Sequence, residues 1–136
     1  MRLLIFLYLL SSFLLAEELF IISNSSFPLQ KLNEKQIKKI FLKKIDYIHS
    51  IPIYPVNLSS NHTVRELFRE RILHMTTKEI KQYWTRAHYK GKRAPITQNS
   101  IQSIIKFIQE IDGSITYVYT KERPKNVKIL YKMSIQ

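Results

Sequence analysis

Residues 76–95, TTKEIKQYWTRAHYKGKRAP, hold the spacing that decides the fold. Between Lys81 and Arg93 five Lys and Arg side chains alternate with three aromatic rings, a composition that also suits phosphate neutralisation and base stacking. The periodicity argues otherwise. Ile80, Tyr83, Trp84 and Ala87 fall at i, i+3, i+4 and i+7, which is a complete apolar stripe on one helical face. Thr76 followed three residues later by Glu79 is a capping box, and Gly91 and Pro95 stop the helix near His88. The rings are therefore expected in the core, with Lys81, Thr85, Arg86 and His88 on the solvated flanks, and nucleic acid is disfavoured as a partner.

The same reading extends in both directions. ELFIIS, residues 18–23, is an apolar run that ends in the polar cluster SNSS, as a buried strand does where it enters a loop. Asn33 and Gln36 form a second capping box ahead of Ile37, Ile40 and Phe41, which predicts a helix over 33–42. A short strand is expected over 53–58, its start at a sheet edge because of the two prolines in IPIYPVNL. Val64, Leu67, Phe68 and Ile72 predict a helix over 62–73. Ile101, Ile104, Ile105 and Ile108 predict another over 99–111, closed by Asp112-Gly113. SITYVY and VKILYKM then read as strands, the last of edge type. Strands separated by helices predict an α/β fold, a three-layer single lobe with a small mixed sheet flanked by helices.

Ahead of this lobe, Arg2 and the uncharged run LLIFLYLLSSFLLA match the charged start, apolar centre and small-residue exit of a secretory signal. The expected signal peptide covers residues 1–16, with cleavage after Ala16 or retention as an anchor both open, and residues 17–136 form one domain. Export across an inner membrane into a periplasm is the implied location. The exported part holds 21 Lys and Arg against 10 Asp and Glu, a charge of about +11 that calls for anionic partners. With no Cys in the chain, packing alone must hold the exported domain together.

The positive charge falls in three blocks, at 31–44, 78–93 and 121–132. Each reads first as a solvated face; sharing one side of the fold, they would hold an acidic protein, an acidic polymer or an anionic membrane surface. His49, His62, His74 and His88 lack the i, i+4 pairing of a metal site, and the chain has no nucleophile elbow, no Gly-rich phosphate loop and no H-E-x-x-H. No enzyme activity, metal or cofactor is expected.

Taken in order, IFLKK (40–44), a Ser-rich loop ahead of RELF (65–68), YW (83–84), YKGKRAP (89–95) and DGSITYV (112–118) resemble the small phosphate-transporter-type periplasmic binding proteins over nearly all of residues 18–120. The resemblance implies a periplasmic-binding-protein-like lobe that binds a small inorganic oxyanion such as phosphate and works with a membrane permease or another periplasmic protein. Two positions depart from the pattern: Lys43 and Thr116 stand where glycines are expected. Glycine serves positive φ or close backbone approach, so both turns are expected to be rebuilt here.

Anion binding in such a lobe needs short hydroxylic side chains and free N–H groups where a strand hands over to a helix. Two stretches qualify, SNSS (23–26) and SSNHTVR (59–65). By the resemblance, the ligand-binding candidates are Ser25, Ser26, Ser60, Asn61, Thr63 and Arg65, with Arg65 as the forked cation for two oxygens. Helix capping is the competing role for Ser60, Asn61 and Thr63. About 120 residues make one lobe and half a cleft, so the expected site is wet and weak unless a partner closes it.

Overall fold

The computed structural model describes residues 16–135. The predicted leader, apart from Ala16, lies outside the described residues. In chain order the elements are β1 (Glu18–Ser23), α1 (Glu34–Phe41), β2 (Tyr47–Ile48), β3 (Ile51–Pro52) and β4 (Tyr54–Leu58). Then come α2 (Thr63–Phe68), running into a π-helical turn (Arg69–Leu73), α3 (Thr77–Tyr89), β5 (Ile96–Gln98), α4 (Ile101–Glu110), β6 (Ser114–Thr120) and β7 (Lys128–Ser134).

Five strands form one mixed sheet in the order β5-β4-β6-β1-β7, and β2 and β3 make a separate small hairpin. β1 runs antiparallel to β6 and β7, whereas β4 runs parallel to β5 and β6. The unbroken apolar run of β1 is explained by its place between β6 and β7, where Leu19 to Ser23 are all buried. β7 is the edge strand expected of it, but its alternation is interrupted at Leu130, where the register with β1 shifts between Ile21 and Ile22. Side chains alternate across the sheet. On one face Tyr117 meets Phe41 of α1 and Phe68 of α2. On the other face Ser114 Oγ donates to the Ile111 carbonyl at the end of α4. Helices thus cover both faces, giving the expected three-layer α/β lobe.

Both predicted capping boxes are present, Asn33 with Gln36 and Thr76 with Glu79. α1 buries Ile37, Ile40 and Phe41, and α4 buries Ile104 and Ile108. α3 departs from expectation. Of its stripe only Ala87 is buried; Ile80, Tyr83 and Trp84 are half-buried. The helix touches the sheet sparsely and rests on the end of α1, where Tyr83 Oη donates to the Leu42 carbonyl. The stripe therefore walls a cavity instead of sealing a core.

Two short features have no sequence signal strong enough to predict them. The β2–β3 hairpin has two-residue strands, and β5 is a three-residue strand paired in parallel with Val56–Leu58. Because β5 flanks only that end of β4, the Pro55 end of β4 does lie at an edge, as predicted.

The two departures from the glycine pattern resolve differently. Lys43 adopts φ 57°, so the turn after α1 keeps left-handed geometry with a lysine in it. Thr116 sits inside β6 and its Oγ1 donates to the Val56 carbonyl at 2.7 Å, so this position is plain strand and no turn is rebuilt. Gly113 is the position that does require glycine: its φ is +73°, and a Cβ there would lie 2.1 Å from the Pro52 carbonyl oxygen.

Candidate functional site

Where β4 ends, an aromatic floor supports a cavity. Phe68 and Tyr117 stack with centroids 4.0 Å apart, and Phe41 meets Phe68 edge-on at 4.8 Å. The Tyr117 hydroxyl accepts from the Leu58 N–H at 3.2 Å and donates to Asn57 Oδ1 at 3.0 Å. Desolvation holds the Tyr117 pKa far above its ordinary value, so the group stays a phenol and keeps a proton to donate. With Oδ1 engaged in this way, Asn57 is left with its two Nδ2 protons as free donors.

The opposite wall comes from α2. Arg65 projects back to the strand end, its guanidinium donating to the Leu58 carbonyl at 3.0 Å. Arg69 lies one turn later on the same helical face. It donates to the Met75 carbonyl and stands 3.4 Å from Glu70 Oε1. Asn57, Ser60, Arg65 and Arg69 all line a cavity of about 170 Å³, with Glu66 as the one carboxylate among the lining residues. Two guanidiniums at i, i+4 repel each other, and an anion between them relieves that cost. The far wall is mostly apolar, formed by Leu73, Ile80 and Trp84 with Thr77 beside them.

The sequence candidates separate in space. Ser60 and Arg65 line the cavity. Asn61 and Thr63 are exposed beside it, and neither caps the helix: His62 does, its Nδ1 accepting from the Val64 N–H at 3.2 Å. Ser25 and Ser26 lie at the other end of the sheet. Ser23 pairs with Ile115 near the start of β6, and Ile115 pairs with Pro55 near the start of β4. Since β1 and β4 run in opposite directions, the loop after one strand is a strand length away from the loop after the other. The expectation of one seat built from both loops is thus corrected by the strand directions. Ser25 is exposed, and Ser26 Oγ accepts from the Gly113 N–H at 3.1 Å.

Asn57, Arg69 and Trp84 were not among the candidates. Arg69 was legible as the residue one turn after Arg65, whereas Asn57 depended on knowing that Tyr117 would reach its side chain.

The three basic blocks are contiguous. Lys38 on α1 is near enough to Glu79 on α3 to help two Thr76 hydrogen bonds hold that carboxyl below its usual range. Glu34 at the start of α1 accepts from Tyr131 of β7 at 2.9 Å and pairs with His74 at 3.1 Å. Lys31, Arg123 and Lys132 line one shallow hollow beside β7.

This architecture is one lobe of the periplasmic-binding-protein-like fold, shared with solved phosphate receptors of ABC transporters. An ABC-type phosphate transport receptor from Vibrio cholerae superposes with a TM-score of 0.65 at 17% identity, over 85% of this chain and 46% of that one. A putative phosphate ABC transporter substrate-binding protein with bound phosphate, from Clostridium perfringens, gives 0.65 at 19% identity over 85% and 45%. PstS from Borrelia burgdorferi gives 0.65 at 16% identity over 85% and 47%. The chain therefore spans about half the length of these proteins. No family model and no curated sequence matches it.

Proposed function

We propose that this chain is an exported, non-enzymatic binding lobe that seats a small oxyanion at Asn57, Ser60, Arg65 and Arg69, and that it acts through a membrane permease or a second periplasmic protein. The observation that carries the proposal is the pair of arginines one turn apart, Arg65 in α2 and Arg69 at the start of its π-helical continuation, both lining a cavity where Asn57 has spare N–H donors. The fold shared with phosphate receptors, one of them solved with phosphate bound, supports the choice of anion. Delivery by the segment at 1–16 and a periplasmic location belong to the same proposal. Asn61 and Thr63 lie at the rim, within reach of a partner that closes the site.

The seat is open on one side, so water screens the ion. Two charge-assisted hydrogen bonds, each contributing about 1.5–3 kcal/mol, correspond to a Kd on the order of 1 mM. Isothermal titration with phosphate and sulfate, alongside circular dichroism, tests this. Saturable heat that disappears in Arg65→Ala is expected; a folded protein that gives no heat rejects the ligand.

A second use rests on a separate observation, the contiguity of the three basic blocks. Among the described residues Lys43 pairs with Asp46 and Arg69 with Glu70, and most of the positive charge is left without a carboxylate partner. In this role the lobe associates with an acidic protein, an acidic polymer or an anionic membrane surface, and binding falls steeply with salt while selecting weakly among anions. Salt-resistant recognition of a single anion speaks against it.

A further inference from the structure

The cavity is larger and more apolar than an inorganic ion requires. A tetrahedral oxyanion has five heavy atoms and occupies on the order of two or three water shares of about 30 Å³ each, well under the 170 Å³ of this open-sided cavity. The lining is also divided by element. Most of its donors come from β4, the following loop, α2 and Arg69 at the head of the π turn, whereas Leu73, Ile80 and Trp84 come from the end of that turn and from α3, with Thr77 as the one hydroxyl beside them. An ion held by Asn57 and Arg65 leaves the second wall facing water.

That wall is the unfinished part of α3. The helix carries a full apolar stripe yet buries only Ala87 completely, leaving Ile80 and Trp84 half covered at the cavity. The indole is not loose. Tyr83 meets it edge-on at 5.1 Å and 82°, and Tyr83 is itself anchored to the Leu42 carbonyl. A positioned indole across a small cavity from two guanidiniums matches a ligand with a charged end and an apolar end.

We infer that the occupant is an organic oxyanion, whose phosphate or carboxylate head sits between Arg65, Arg69 and Asn57 and whose ring-sized apolar group packs on Trp84, Ile80 and Leu73. The inference rests on the oxyanion reading of the same site and names the ligand class within it. Apolar contact of that size strengthens binding by at least about tenfold over the bare ion, at roughly 25 cal/mol per Å² covered.

Trp84 is the sole tryptophan, so its fluorescence reports on the cavity directly. Full-length protein is titrated with inorganic phosphate, phenyl phosphate and phenol. Phenyl phosphate is expected to bind at least about tenfold more tightly than phosphate and to quench the indole, with phenol giving no saturable change. Calorimetry on Ile80→Ala and Trp84→Ala is expected to bring phenyl phosphate down to the phosphate level without altering phosphate binding; if one variant fails to fold, the other decides. Equal affinities for the two phosphates overturn the inference and leave the oxyanion seat standing. Phenol binding as tightly as phenyl phosphate overturns it in favour of a purely apolar pocket. No response to either phosphate overturns it together with the oxyanion reading.

Discussion

At one end of the sheet Asn24, Ser25 and Ser26 follow β1; at the other, Ser59, Ser60 and Asn61 follow β4. The two loops have almost the same composition and opposite hydrogen-bond states. Asn24 is buried, with Nδ2 donating to the Ile108 and Gln109 carbonyls at 2.8 and 3.1 Å and Oδ1 accepting from the Ser26 N–H at 2.9 Å. Ser26 in turn accepts from Gly113, and Ser23 Oγ donates to the Asn24 carbonyl. This end is a clasp that ties β1 to the C-terminus of α4, satisfying carbonyls that the helix end leaves open. At the β4 end the protein's own acceptors take only part of what Arg65 and Asn57 offer. Hydroxyl content does not make a site; donors left over after the fold has met its own needs do.

Substitutions at the two ends are expected to fail in different ways. The largest effect belongs to the clasp. Asn24→Ala removes three hydrogen bonds in a buried loop and is expected to cost roughly 2–4 kcal/mol of stability, read as a lower urea midpoint, with anion affinity unchanged at temperatures where the protein is folded. Loss of affinity without loss of stability would erase the contrast.

Arg65→Ala is next. It is expected to weaken oxyanion binding tenfold to a hundredfold, the equivalent of about 1.5–3 kcal/mol, while the thermal midpoint moves less than in Asn24→Ala, because a single part-buried hydrogen bond to the Leu58 carbonyl is lost. Calorimetry and thermal melting on one preparation separate the two quantities.

Alkaline pH probes the floor between the ends. Burial raises the Tyr117 pKa, and more weakly those of Tyr83 and Tyr131, above the unfolded tyrosine value near 10. In that range the folded state binds more protons than the unfolded state, so the contribution is fully present below about pH 10 and is lost as pH rises further. Urea midpoints between pH 8 and 11 should fall only at the alkaline end. Tyr117→Phe should flatten that fall and, by releasing Asn57 Oδ1, cost about 1 kcal/mol at neutral pH.

The smallest effects come from the serines themselves. Ser60→Ala is expected to weaken binding about twofold to fivefold, consistent with one neutral hydrogen bond. Ser25→Ala, on an exposed side chain at the clasped end, should change neither affinity nor stability measurably. An affinity loss in Ser25→Ala would bring the two loops back into one site.

Most of the elements were legible because each rests on local chemistry. Asn33 with Gln36 and Thr76 with Glu79 cap helices where the sequence places them, and ELFIIS becomes a central strand because nothing but burial suits it. The site was legible only in part. Of the candidates Arg65 and Ser60 do line the cavity, whereas Ser25 and Ser26 share their composition but not their end of the sheet, because composition carries no strand direction.

The chain itself determined its periods, its caps, its excess of positive charge and the order of its elements, since these depend on residues a few positions apart. Strand direction belonged to the tertiary structure: with β1 antiparallel and β4 parallel to the same β6, two similar loops were sent to opposite ends of the sheet. The same holds for Trp84. Helical spacing gave the indole an inward side, but whether that side met a core or a cavity depended on how far α3 lies from the sheet, a distance set by Tyr83 resting on the end of α1.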